Sequence, residues 1–136
     1  MTAADAGVTL LRNVLVVDDS MLIQQMYESF LSCYPGVRIL RALDGAEAMA
    51  ILSREPDVDL VLLDINMPVM NGMQFLERMK AEPAYRPIPV IVITTEGRDE
   101  DFGRCLAAGA SRCLRKPFRK LELYGLVEEL TGARPA

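Results

Sequence analysis

Asn13-Val14-Leu15-Val16-Val17-Asp18-Asp19-Ser20 is the stretch that decides the fold. A run of mostly branched apolar residues ends abruptly in two acids and a hydroxyl. The same grammar recurs along the chain: Leu60-Val61-Leu62-Leu63 runs into Asp64, Val90-Ile91-Val92-Ile93 into Thr94-Thr95, and Cys113-Leu114-Arg115 into Lys116-Pro117. Short apolar runs separated by helical patterns read as buried parallel strands. The polar residues at their carboxyl ends then share one edge of one sheet, where open α/β sheets bind their ligands. Residues far apart in sequence thereby converge on one pocket.

The segments between the runs carry helical spacing. Ser20 is placed to cap a helix reaching about Tyr34, with Leu22, Ile23, Met26, Phe30 and Leu31 on its inner side. Pro35-Gly36 stops it, and residues 37–42 form a short second strand. Asp44-Gly45 turns the chain into a helix over 46–54, with Ala48, Ile51 and Leu52 inward, and Pro56-Asp57 ends it before a strand at 59–63. Asn71-Gly72 opens a helix over 73–81 with a stripe of Phe75, Leu76 and Met79. Pro83, Pro87 and Pro89 stiffen the next loop. A weaker helix spans about 99–108 and holds Gly103, which costs about 1 kcal/mol relative to Ala in a helix interior. Residues 111–115 make the fifth strand and 118–130 the last helix.

Five successive βα units predict a parallel sheet covered by helices on both faces, because the crossovers are right-handed. The expected fold class is α/β, a doubly wound, flavodoxin-like (βα)5 domain with strand order 2-1-3-4-5. That order sets strand 1 beside strand 3 and makes Asp18, Asp19 and Asp64 neighbours. Residues 1–10 read as a flexible tail, 11–131 as one domain and 132–136 as a frayed end.

Composition narrows the chemistry. A length of 136 residues with 51% apolar content suits one domain with one core. A net charge of −4 argues against nucleic acid and anionic membrane as partners. No apolar stretch approaches the roughly 20 residues of a membrane span, and the first residues do not resemble a signal peptide. Cys33, Cys105 and Cys113, odd in number and without CxxC spacing, read as reduced, partly buried thiols of a cytoplasmic protein rather than a disulfide framework or zinc site. With no histidine in the chain, Ser-His-Asp and Cys-His hydrolase mechanisms are excluded.

Three carboxylates in one pocket repel one another, and a divalent cation is the natural compensator. An all-oxygen donor set favours Mg²⁺ over zinc. Lys116 adds an ammonium and Thr94 a hydroxyl, which completes a phosphoryl-binding set. An aspartate itself can serve as nucleophile, forming an aspartyl phosphate. The residues thus read as Mg²⁺-assisted phosphoryl transfer onto a carboxylate.

Leu15-Val16-Val17-Asp18-Asp19-Ser20, Leu63-Asp64-Ile65-Asn66-Met67-Pro68, Asn71-Gly72, Ile93-Thr94-Thr95 and Lys116-Pro117-Phe118 together resemble the receiver domain of two-component response regulators, of the CheY-like single-domain kind. The resemblance spans about residues 11–130. It implies that Asp64 is the phosphoacceptor, that Asp19 binds Mg²⁺ directly and Asp18 chiefly through water, and that Asn66 offers its backbone carbonyl to the metal. It implies that Thr94 and Lys116 hold phosphoryl oxygens, and that the Lys116–Pro117 bond is cis. Its implied partners are a histidine kinase or histidine phosphotransfer protein, docking on the first helix, and an unidentified downstream protein. The chain would be a signalling phosphoacceptor that assists its own phosphorylation and dephosphorylation, not a substrate-turning enzyme. Met67-Pro68-Val69-Met70 would hold the loop after the phosphoacceptor. Met21, Gln24 and Gln25 read as ordinary solvent-facing helix residues, and Glu96 as a rim residue.

One departure stands out. The family often carries an aromatic residue three positions before the lysine, where this chain has Cys113. A thiol cannot swing inward as a ring does, so the output is expected to run through helix 4 and the loop before it. The competing functions are a small Mg²⁺-dependent phosphohydrolase, a pseudo-receiver that binds partners without phosphorylation, and a fragment of a longer DNA-binding regulator or hybrid kinase. Asn66 argues against the first, standing where such a hydrolase wants a second aspartate. The intact Asp18, Asp19, Asp64, Thr94 and Lys116 argue against the second.

Overall fold

Strands and helices alternate along the chain: β1 (Asn13–Val17), α1 (Met21–Leu31), β2 (Arg38–Ala42), α2 (Gly45–Arg54), β3 (Leu60–Leu63), α3 (Gly72–Ala81), β4 (Val90–Thr94), α4 (Asp99–Ala107), β5 (Arg112–Arg115) and α5 (Lys120–Thr131). The computed structural model describes residues 10–65, 71–94 and 99–136. All strand pairs are parallel, and the order is β2-β1-β3-β4-β5, the expected doubly wound arrangement. Val17 is level with Ala42 on one side and Leu63 on the other, and Leu63 is level with Val92. The carboxyl ends of β1, β2, β3 and β4 therefore finish on one edge.

Side chains alternate across the pleat and build one core on each face. Leu15, Val17, Val61, Leu63, Val90 and Val92 pack with Ile51 and Leu52 of α2, Phe75, Leu76 and Met79 of α3, and Cys105 of α4. Val14, Val16, Leu60, Leu62, Ile91 and Ile93 face the other way, toward Tyr27 and Leu31 of α1 and Leu123 and Val127 of α5. Both faces are covered, so the central strands are apolar at every position, which is why they read as continuous runs.

The caps follow the sequence signals. Ser20 Oγ accepts from Ile23 N at 3.3 Å, Asp44 Oδ1 from Glu47 N at 2.8 Å, and Asn71 forms a capping box with Gln74. Two expectations need correction. Helical spacing places Leu22 and Leu31 inward; Leu31 is buried, but Leu22 is 75% exposed, and α1 buries Gln24 and Tyr27 beside Leu31. This also overturns a solvent-facing Gln24. The stripe was misplaced because the residue that docks against the polar sheet edge is itself polar. Next, α1 stops at Leu31 rather than Tyr34; Tyr34 is buried in the turn that follows. After α5, Gly132 takes the left-handed cap at φ 80°, Ala133 is buried, and Ala136 N donates to Cys33 O at 2.7 Å.

Candidate functional site

Asp18 and Asp19 follow β1, and Asp64 follows β3, its neighbour in the sheet. The structure brings these three carboxylates together, with oxygens from each within 4.8 Å of one another. Asp18 is buried, Asp64 half-buried and Asp19 exposed, so the cluster opens to solvent on one side. Backbone bonds level the two loops: Asp64 N donates to Val17 O at 2.9 Å, and Asp18 N to Ala42 O at 3.0 Å.

Asp18 is tied at every polar atom. Its Oδ1 accepts from Ser20 N at 2.9 Å and its Oδ2 from Lys116 Nζ at 3.2 Å. Its carbonyl accepts from Gln24 Nε2 at 3.1 Å. Lys116 follows β5, and its N donates to Thr94 O at 3.0 Å, so the last residue of β4 holds the lysine's backbone. The Lys116–Pro117 bond is cis, as the resemblance implied. Thr94 is 2% exposed at the carboxyl end of β4, on the same edge. Asn66, Met67 to Met70, Thr95 and Glu96 lie outside the described residues.

Two features of the site were not legible as such. Gln24 gave no signal beyond its position one turn into α1. Gly72 read as a helix opener, yet a Cβ there would stand 2.4 Å from Asp64 O and 2.6 Å from Ile65 Cα. Only glycine lets α3 begin this close to the loop that carries Asp64, and Gly72 N donates to Ile65 O at 2.9 Å across that contact.

The donor set fits a hard divalent cation. Two oxygens on one octahedral Mg²⁺ stand about 3–4 Å apart, and the three carboxylates already gather on nearly that scale. Among the described residues, three carboxylates beside the ammonium of Lys116 leave negative charge for a cation to offset. The pocket's field reaches inward too: Tyr27 is held well above the ordinary phenol range by burial first, then by the charges of Asp18 and Asp64.

Beside Lys116 a groove of about 330 Å³ runs between α1 and the β5–α5 connection, lined by Ile23, Met26, Lys116, Pro117 and Phe118. Tyr27 and Phe118 stack behind it at 6.2 Å between ring centroids. Met21 and Leu22, which are exposed, follow the acidic pair directly on α1. Among the described residues no helix is long and apolar enough to cross a membrane.

The response regulator receiver domain family matches residues 14–128. The chain is 34% identical over 119 residues to a chemotaxis protein CheY homolog of Campylobacter jejuni, covering 88% of this chain and 92% of that protein. Among solved structures, the chemotaxis protein CheY4 of Vibrio cholerae aligns with a TM-score of 0.80 at 33% identity, over 88% of this chain and 98% of that one. The receiver domain of the sensor histidine kinase PA1611 of Pseudomonas aeruginosa, with a magnesium ion coordinated in its active-site cleft, aligns with a TM-score of 0.80 at 29% identity, over 90% of this chain and 98% of that one.

Proposed function

This chain belongs to the response regulator receiver family of two-component signalling, and we propose that it accepts a phosphoryl group on Asp64 from a phosphohistidine donor. The observation that carries this is the meeting of Asp18, Asp19 and Asp64 within 4.8 Å, with Lys116 Nζ 3.2 Å from Asp18. In the reaction an Asp64 carboxylate oxygen attacks phosphorus, the P–N bond of the donor imidazole breaks, and that nitrogen takes up a proton. Asp18 and Asp19, with Asp64 and the Asn66 carbonyl, would hold Mg²⁺. When bound, it supplies charge neutralisation for the transferring phosphoryl group. Lys116 and Thr94 orient the phosphoryl oxygens. The bond from Asp64 N to Val17 O keeps the nucleophile from drifting and that from Asp18 N to Ala42 O holds the acidic pair, so most of the catalysis is positioning.

The partner that delivers the group is a histidine kinase or a histidine phosphotransfer protein. The apolar groove floored by Lys116, together with exposed Met21 and Leu22, supports docking over α1, since a partner seated there reaches the acidic pair. The three free thiols suit a reducing cytoplasm. The aspartyl phosphate changes which downstream protein binds, and the domain does not turn over a small-molecule substrate.

Intact and peptide mass spectrometry after treatment with acetyl phosphate and Mg²⁺ tests this. One phosphoryl group on Asp64, absent in Asp64→Asn and absent in EDTA, is the expected result. Stoichiometric labelling of Asp64→Asn overturns it.

A further inference from the structure

Asp18, Thr94 and Gln24 are the polar side chains buried among the described residues. The first two belong to the phosphoryl site. Gln24 has no role in it, yet it is fully buried one turn into α1, where a leucine would fit the helix's apolar face. A buried amide is costly unless its hydrogens are used. Gln24 Nε2 stands 3.0 Å from Val16 O, 3.1 Å from Asp18 O and 3.0 Å from Ala42 O. Carbonyls only accept, so the NH₂ end must face them, with its two hydrogens shared among three acceptors. The other end, Oε1, is buried and has no partner among the described residues. The side chain thus forgoes a hydrogen bond at one end to serve the sheet edge with the other.

The three acceptors explain what it serves. Val16 and Asp18 flank the end of β1, and Ala42 ends β2. Past the end of β1, Gln24 gives Asp18 O the donor that a further strand residue would have supplied, and it adds a bond to Val16 O and to Ala42 O within the ladder. Ala42 O already takes Asp18 N. Asp18 O is the acceptor that opens the peptide leading into Asp19. With Asp18 N, Oδ1 and Oδ2 held by Ala42, Ser20 and Lys116, the bond from Gln24 fixes the remaining polar atom of Asp18. Asp19, exposed and next in the chain, then leaves a fixed peptide at a fixed angle.

We propose that Gln24 is a positioning residue for the metal-binding loop: its amide sets the Asp18–Asp19 peptide so that the Asp19 carboxylate is presented beside Asp64. This rests on the phosphoacceptor reading above and adds a residue that holds the loop without touching the ion. Groups that orient ligands from behind typically change metal affinity by 10–100-fold when removed.

The test compares wild type, Gln24→Met and Leu31→Ala by calorimetric Mg²⁺ titration, with thermal melts of each. Gln24→Met keeps length and apolar packing but removes the donor. Leu31→Ala loosens the same face of α1 away from the loop, and controls for general destabilisation. The expected result is a Kd for Mg²⁺ raised about tenfold or more in Gln24→Met and within twofold of wild type in Leu31→Ala. A Gln24→Met Kd within twofold of wild type overturns the proposal, as does an equal weakening in both variants. Should Gln24→Met fail to fold, ¹⁵N spectra of the wild type decide. The Gln24 side-chain amide signals are expected to shift along the same Mg²⁺ titration as the Asp19 amide, and their standing still while Asp19 moves overturns the proposal. Wild type that binds no Mg²⁺ at all defeats the phosphoacceptor reading instead, so the two failures are distinguishable.

Discussion

Lys116 Nζ lies 3.2 Å from Asp18 Oδ2 across 98 residues of sequence, with the two side chains 13% and 3% exposed. The lysine is thus paired with the buried member of the carboxylate cluster, and among the described residues it sets a cation beside three acids. Removing one partner of a buried pair leaves an uncompensated charge and costs about 3–5 kcal/mol. Lys116→Met is therefore expected to lower the metal-free melting temperature by roughly 10–17 °C. Mg²⁺ should restore part of that loss, because a cation again faces Asp18. Melts in EDTA and in Mg²⁺ check this, and identical losses in both conditions would show that the pair does not carry the local charge balance.

The exposed member of the carboxylate cluster invites the complementary change. Asp19→Asn removes one exposed charge from the cluster and is expected to stabilise the metal-free chain by about 0.5–1 kcal/mol. Wild type should gain about 2.7 kcal/mol at Mg²⁺ concentrations 100 times Kd, by mass action alone. The variant should lose most of that gain. A variant that Mg²⁺ stabilises as strongly as wild type would sink the assignment of Asp19 as a ligand.

Much of this was legible in the sequence for a definite physical reason. A strand buried on both faces must be apolar at every position, so Leu60 to Leu63 announces itself, and the first polar residue after it, Asp64, falls on the ligand edge. Gln24 was not legible, because helical spacing predicts apolar residues where a helix docks. Here the docking surface is the row of carbonyls at the ends of β1 and β2. The same error pushed Leu22 inward on paper, although it is exposed. Lys116 was found as a charge at a strand end, but its pairing with Asp18 depends on three-dimensional reach that spacing does not encode.

Gly72 offers a test of close approach. A Cβ there would meet Asp64 O at 2.4 Å and Ile65 Cα at 2.6 Å, and both are backbone atoms that cannot swing aside. Gly72→Ala must therefore push α3 away from the loop or move the loop itself. The expected cost is about 1–3 kcal/mol, the usual range for overpacking, despite alanine's better helix propensity. Because the displaced atoms belong to Asp64 and Ile65, the rate of labelling by acetyl phosphate should fall more than Mg²⁺ stabilisation does. A variant as stable and as quickly labelled as wild type would contradict the packing.

The last prediction concerns output. Among its described side chains, α4 buries Cys105 alone; Phe102 is half-buried, and Gly103, Arg104, Leu106 and Ala107 are exposed. Cys105 donates to Met73 Sδ at 3.6 Å, and the Phe102 ring lies under the Arg115 guanidinium at 5.0 Å from its centroid. Among the described side chains, a helix that buries one residue and exposes four is the kind of element in which local opening responds first. Cys113 sits against α4, its thiol 3.8 Å from Phe102 O, and burial, with Cys105 beside it, pushes that thiol up to about 11. It stays neutral near pH 8 and has no ring to rotate. Capture of a phosphoryl group at the ends of β3 and β4 is therefore expected to register in α4. Hydrogen exchange over residues 99–108 should change about 5–150-fold with beryllofluoride and Mg²⁺, the span of ordinary allosteric couplings of about 1–3 kcal/mol. Alkylation of Cys113 at pH 8 should stay slow in both states. Gly103→Ala, with nothing within 4 Å of the added Cβ, should stabilise the helix by about 1 kcal/mol and slow its exchange about fivefold. Identical exchange over 99–108 in the two states, with changes on a remote face, would place the output elsewhere.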